Sequence, residues 1–172
     1  RDPILSFDDA LQIARAGGVG IYPELKHPSF LAERGLDPVP PFIAAIEAAG
    51  LNTRAAPIFA QCFEIGALRR LAQLSPVRRI QLISPEGAPF DQPMLSYQAM
   101  LADLPTLAAY ADGIGAEKSL IIPRDQTGAL AAPTNLVSRA HAEGIAVHAW
   151  KFRAENYFLP RELKRGENPA AQ

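Results

Sequence analysis

Cysteine is almost missing from this 172-residue sequence: Cys62 stands alone, which excludes an intrachain disulfide and a compact Cys-rich metal site. Long apolar runs are missing too, since no window reaches the roughly 18 consecutive apolar residues that a membrane-spanning helix needs. Charge of one sign is not in excess. Seventeen basic residues face eighteen acidic ones, a formal net charge of -1, so no global positive field draws the chain to nucleic acid or an anionic membrane. The opening RDPILSFDD has neither the basic start nor the apolar stretch of a signal peptide, and no methionine precedes it; it reads as the start of a processed or excerpted chain. No Gly-x-Gly-x-x-Gly follows the first apolar strand pattern, no Gly-Lys-Ser/Thr occurs, and no serine has a glycine-flanked nucleophile elbow. What is present is ordinary: 48% apolar and 20% charged residues, enough for one domain and too apolar for a disordered chain.

Short apolar runs alternate with helical patterns along the chain. Ser6 with Asp9 predicts a capped helix start, with Phe7, Leu11 and Ala14 on one face and Gly17-Gly18 ending it. A strand is predicted over 19–25. Pro40-Pro41 lead into a helix in which Phe42, Ala45, Ile46 and Ala49 share a stripe and which Gly50 closes. Further strands are expected at 56–63, 79–83, 111–115 and 145–150. Further helices are expected at 65–74, ending before Pro76, at 95–110 with a break at Pro105, and at 135–143, ending at Gly144. Residues 84–93 read as a Pro/Gly-rich loop. The pattern is α/β with about five parallel strands and connecting helices. An open doubly wound sheet and an arc of a (β/α) barrel fit it equally, since five strands are too few to close a barrel of eight.

The strongest local signal is Gly20-Ile21-Tyr22-Pro23-Glu24-Leu25-Lys26-His27-Pro28. Strand alternation puts Tyr22, Glu24 and Lys26 on one face, near the carboxyl end where parallel α/β folds place their sites. Glu24 could bind a hard cation and Lys26 an anionic substrate oxygen; a packing ion pair is the competing reading. Gln61, between Phe59 and Phe63, is a candidate donor to a polar ligand or a satisfied interior amide, and Gln81 carries the same two readings. Cys62 points the other way and reads as a small buried hydrophobe. Ala146, His148 and Trp150 share a face, either as a pocket wall with a titrating imidazole or as core. His141 falls in the last turn of a helix and His27 in a loop. Arg69, Arg70, Arg78 and Arg79 read as a solvated helix face.

Five ordered stretches, GIYPELKHPSF at 20–30, IFAQCFEIGALRRL at 58–71, RRIQLI at 78–83, YADGIG at 110–115 and HAEGIAVHAWKFRAEN at 141–156, together resemble the glycerophosphodiester phosphodiesterase family, particularly its bacterial periplasmic type. The resemblance implies a partial (β/α)8 TIM barrel over residues 1–165; the residues after it, 166–172, read from their own pattern as a flexible tail. The resemblance also implies metal-dependent hydrolysis of glycerophosphodiesters to an alcohol and sn-glycerol 3-phosphate, in phospholipid degradation and glycerol phosphate supply. By the same resemblance Glu24 is a ligand of Ca²⁺ or Mg²⁺, Lys26 lies beside the phosphate as a catalytic and substrate-binding residue, Gln61 binds substrate, and Trp150 walls the pocket. A periplasmic or extracellular address follows from the subtype alone.

The sequence also departs from the family pattern. Cys62 stands where a hydroxyl residue is usual, and Lys151 where a threonine is common. The family's His-Arg, Glu-x-Asp and His-Asp segments and its closing Thr-Asp-x-Pro strand do not occur; the two histidines in those segments are its general acid and base. The expectation is therefore a central piece of the barrel, without phosphodiesterase activity by itself, completed by further barrel segments or prone to self-association through open edges. The alternative is a non-catalytic phosphate-ligand binding or interaction domain built on the same barrel.

Overall fold

The Ser6 hydroxyl accepts the Asp9 N–H at 3.1 Å while the Asp9 carboxylate accepts the Ser6 N–H at 2.9 Å, and this reciprocal cap starts helix α1 (Phe7–Ala16). The computed structural model describes residues 4–166, so all but the first residue of the expected tail at 166–172 lie outside the described residues. A short helix α2 (Pro28–Ala32) follows, in a stretch for which the sequence predicts no element. Helix α3 (Val39–Ala48) opens through Pro40-Pro41 and stops where Gly50 adopts φ +70°, a left-handed turn that glycine enters without steric cost. Helix α4 (Ile65–Leu74) ends ahead of Pro76, as expected. The region broken at Pro105 becomes two helices, α5 (Tyr97–Ala102) and α6 (Leu104–Ala108), joined at Asp103, whose carboxylate accepts the Thr106 N–H. Helix α7 (Leu136–Ala142) is the last.

Strands β1 (Phe59–Cys62), β2 (Arg78–Ile83), β3 (Gly113–Glu117) and β4 (Ala146–Trp150) form a four-stranded, wholly parallel sheet in the order β1-β2-β3-β4. Spatial order follows chain order without reversal, so no topological switch point occurs among the described residues, and this removes the doubly wound alternative. The expected fifth strand at 19–25 lies beside β1, but it pairs only through isolated parallel bridges, Ile21 with Ile58 and Glu24 with Gln61. The ladder is regular on both sides of Pro23: Ile21 N–H donates to Pro57 O, Phe59 N–H to Ile21 O, Gln61 N–H to Pro23 O and Leu25 N–H to Gln61 O. Proline has no N–H to donate at the centre of that ladder, so the strand is interrupted there. The fold is α/β, an arc of a (β/α) barrel.

Helices cover the outer face of the arc. Ile46, Leu68, Leu71, Ile83, Leu104, Leu107, Ile114 and Ile145 are fully buried between helices and sheet. Cys62 belongs to this layer, as the alternation predicts. Gln81 is also on this side, and the structure decides between its two readings. Its amide nitrogen donates to Phe63 O at 2.9 Å and Leu82 O at 3.1 Å, and its oxygen accepts the Tyr110 hydroxyl at 3.0 Å. The residue is wholly buried and ties the end of β1 to β2 and to the turn after α6. Replacing Gln81 by leucine leaves the Tyr110 hydroxyl and the Phe63 carbonyl without it; urea unfolding is expected to show a loss of about 2–3 kcal/mol.

The inner face is concave and lightly filled. Gly113 and Gly115 put no side chain there, so Ile80 and Leu82 lean across β3; a Cβ on Gly115 would stand 2.5 Å from Leu82 and one on Gly113 2.9 Å from Ala146 O. Tyr22, beside the first edge, donates or accepts a 2.7 Å hydrogen bond with His148 Nδ1 on β4, the opposite edge. Side chains from the two ends of the arc thus meet across its inner side, which is the curvature of a barrel. The expected solvated arginine face is found for two of its four residues, Arg69 and Arg70, which are exposed on α4, and not for the other two. Arg78 and Arg79 lie on β2: Arg78 stacks 3.9 Å over the Phe59 ring, and Arg79 is paired with Asp112 and donates to Tyr110 O and Val77 O. The remaining two are on α4, where Arg69 lies over Tyr110 and Arg70 pairs with Asp37.

Candidate active site

The sequence places Glu24 and Lys26 at successive inward positions of an extended segment, and both side chains are exposed on the concave side. They line one cavity of about 340 Å³ at the carboxyl end of β1, together with His27, Phe63, Glu64 and Tyr97. The loop after β2 supplies Ala88 and Phe90 to its wall. Backbone register fixes the pairing, because Glu24 lies opposite Gln61. The Gln61 amide nitrogen donates to Tyr22 O at 3.1 Å, so the interior amide is used to join the two segments. Trp150 is on the inner face of β4, donates its indole N–H to Gly115 O at 2.7 Å, and packs edge-on against Phe63 with ring centroids 5.9 Å apart. Glu24, Lys26 and Phe63 therefore share the mouth; Trp150 is joined to it through Phe63 and Gln61 through Glu24.

His27 has φ +48°, a left-handed conformation uncommon for a residue with a Cβ, and stands at the N-cap position of α2 without a side-chain hydrogen bond to the helix. This turn brings the imidazole to the cavity wall, where the sequence reading saw only a loop. His141 is in the last turn of α7, away from the mouth. His148 lies deeper on the inner face between Tyr22 and Phe59, whose ring meets it edge-on at 5.1 Å. Burial, aided by the Arg78 guanidinium, holds its pKa below the ordinary histidine value, and burial alone pushes the Tyr22 hydroxyl upward. A depressed histidine favours the neutral form in the folded state, so its contribution is present above the unfolded value near 6.5 and is lost as pH falls through the folded one. The melting temperature should therefore drop between pH 7.5 and pH 5.5, and His148→Phe should flatten that dependence; equal slopes in the two proteins would contradict this.

Cys62 is no nucleophile. Its thiol is buried, donates to Leu25 O at 3.0 Å, and is pushed up to about 12 by burial, with Glu64, Asp91 and Glu24 adding repulsion. Glu64 is the residue the sequence reading passed over. It occupies the N-cap of α4, where Ser, Thr, Asp or Asn is usual, yet its side chain does not cap that helix. Asp91 does so from the loop after β2, accepting Ile65 N–H at 3.2 Å and Gly66 N–H at 2.5 Å; a Cβ at Gly66 would stand 2.9 Å from that carboxylate. Glu64 turns the other way, and one oxygen, Oε2, accepts both the N–H and the hydroxyl of Ser29 in α2. The signal available in the sequence was this mismatch, a glutamate at a cap position directly after a strand.

As an oxygen donor to a hard cation, Glu24 is available and accessible. Such ions take six or more oxygen ligands, and among the described residues no group of three or more His, Cys, Asp or Glu is placed to hold one. These residues alone do not make a metal site. No helix among the described residues is long and apolar enough to cross a membrane.

The family model for glycerophosphoryl diester phosphodiesterases matches residues 2–166. The chain is 29% identical over 179 residues to glycerophosphodiester phosphodiesterase GDPD6 of Arabidopsis thaliana, covering 95% of this chain and 48% of that one. A crystal structure from Agrobacterium tumefaciens, provisionally described as a glycerophosphoryl diester phosphodiesterase, superposes with a TM-score of 0.55 at 16% identity, covering 85% of this chain and 51% of that one; at this identity it speaks for the fold. The chain thus spans about half the length of these relatives. With ELK at the mouth of a parallel arc and a family match along nearly its whole length, the chain belongs to the glycerophosphoryl diester phosphodiesterase family.

Proposed function

We propose that the full-length protein containing this chain hydrolyses glycerophosphodiesters to an alcohol and sn-glycerol 3-phosphate with the help of a divalent cation, Ca²⁺ or Mg²⁺. The observation that carries the reading is the shared cavity of Glu24 and Lys26 at the carboxyl ends of parallel strands. Glu24 supplies one oxygen ligand, and the remaining ligands come from outside these 172 residues. A cation there offsets charge on the phosphate oxygens. Lys26, a compact point charge on a flexible stem, meets a non-bridging phosphate oxygen as charge builds on it. Gln61 and Trp150 border the substrate from the inner face. Proton transfer to and from the two alcohol oxygens falls to groups elsewhere in the full-length protein. The subtype resemblance favours a periplasmic or extracellular address, and the open inner face favours completion by further barrel segments, or self-association when the 172 residues stand alone.

A second reading is a non-catalytic phosphate-ligand domain, favoured by the lack of any His-Arg or His-Asp pair in the chain. One assay separates the two. The full-length protein should release sn-glycerol 3-phosphate from a glycerophosphodiester only with a divalent cation, and Glu24→Gln should raise the cation concentration for half-maximal rate at least tenfold. Binding without release, in wild type as in the variant, would favour the second reading.

A further inference from the structure

Glu64 is 98% withdrawn from solvent, with 2% of its surface exposed, and lines the cavity that holds Glu24 and Lys26. Its Oε2 makes both contacts to Ser29, whereas Oε1, also buried, has no hydrogen-bond partner among the described residues. Tying α2 to the start of α4 needs one oxygen, and a glutamine would serve. A second carboxylate oxygen left without a donor in a buried setting is costly and is ordinarily matched. The first two N–H groups of α4 do not serve it, since they go to Asp91. Two carboxylates thus border the cavity against one lysine ammonium. The wall beside Glu64 is aromatic: Phe63 and Tyr97 meet edge to face with centroids 6.2 Å apart, and Phe90, 63% exposed, flanks the open side. A buried acceptor beside aromatic faces is complementary to an organic cation, which gains from the carboxylate and from the ring quadrupoles together.

We propose that this corner of the cavity receives the head-group alcohol of the substrate and selects one carrying an alkylammonium nitrogen, with Glu64 as the specificity-determining residue. The inference rests on the phosphodiesterase reading above and adds which diesters the site prefers. The geometry divides the labour: Glu24 and Lys26 face the phosphate, and Glu64 with Phe63, Tyr97 and Phe90 faces the alcohol.

The test uses the full-length protein with three probes, sn-glycero-3-phosphoethanolamine, sn-glycero-3-phosphocholine and the uncharged-head-group sn-glycero-3-phosphoglycerol. Both cationic diesters should exceed the third in kcat/KM by roughly tenfold, about the effect of one charge-assisted contact. Glu64→Gln, which keeps the shape and the Ser29 contact, should bring that ratio close to one. Should that variant fail to fold, Phe90→Leu at the exposed wall should lower the ratio severalfold. Equal kcat/KM for all three diesters in the wild-type protein, or a ratio that survives in a folded Glu64→Gln, overturns the proposal. So does a Glu64→Gln variant that loses affinity for Ca²⁺ alone in calorimetry while the ratio stands, which would give the oxygen to the cation. Calorimetric binding of the same three diesters keeps the two readings apart: if none is hydrolysed the phosphodiesterase reading fails, and the head-group preference then stands or falls on the binding ratio.

Discussion

Lys26→Ala in the full-length protein is expected to lower kcat/KM for a glycerophosphodiester about a thousandfold, about 4 kcal/mol of transition-state stabilisation. The residue's side chain is exposed at the cavity mouth, so its removal leaves the packed layer of Ile46, Leu68, Ile83 and Ile114 untouched. Stability should therefore change by no more than about 0.5 kcal/mol, the ordinary range for an exposed position. The loss should fall mainly on kcat, because negative charge on the phosphate oxygens is larger in the transition state than in the bound diester. Lys26→Arg keeps the charge but replaces a compact ammonium by a wide planar fork, and should recover only part of the rate. A Lys26→Ala protein within threefold of wild type would remove Lys26 from the reaction.

The isolated 172-residue chain is expected to hydrolyse glycerophosphodiesters at least about ten-thousandfold more slowly than the full-length protein. Each positioned acid or base contributes about 10²–10⁴ in rate, and phosphodiester cleavage calls on both. Of the three histidines in the sequence, His141 is on α7 and His148 is bonded to Tyr22 deep on the inner face, which leaves His27 at the cavity wall. One imidazole cannot stand beside both oxygens, because the attacking hydroxyl and the leaving alkoxide lie on opposite sides of the phosphorus in an in-line displacement. Circular dichroism of the same sample establishes whether the chain is folded when assayed. Cation-dependent release of sn-glycerol 3-phosphate by the purified chain would refute this expectation.

Much of the fold was legible because its signals are local. The Ser6–Asp9 cap, the stop before Pro76, a break two residues ahead of Pro105 and the period-2 faces of β1 and β4 each follow from a few neighbouring residues, and each is found. The choice between barrel arc and doubly wound sheet was not legible, because strand order depends on pairings such as Ile80 with Gly113 that no local pattern encodes. The interruption at Pro23 was foreseeable from the missing N–H but is masked by strong alternation on both sides. Arg78 and Arg79 were misplaced for a related reason: a charged residue at a strand start looks like a solvated face until Phe59 and Asp112 arrive from elsewhere in the chain. At the site, the ELK alternation gave Glu24 and Lys26 a common side. Glu64 stayed hidden because its meaning comes from Ser29, thirty-five residues earlier, and from Asp91 taking over its capping role.

The most direct test of the central claim, that Glu24 and Lys26 face one phosphate in one cavity, is a crystal structure of the full-length protein with Ca²⁺ and sn-glycerol 3-phosphate. The account predicts calcium bound to a Glu24 oxygen and a phosphate oxygen within hydrogen-bond distance of Lys26 Nζ, with both ligands at the carboxyl ends of the strands. Phosphate density elsewhere, with these two side chains directed away from the ligand, would contradict it.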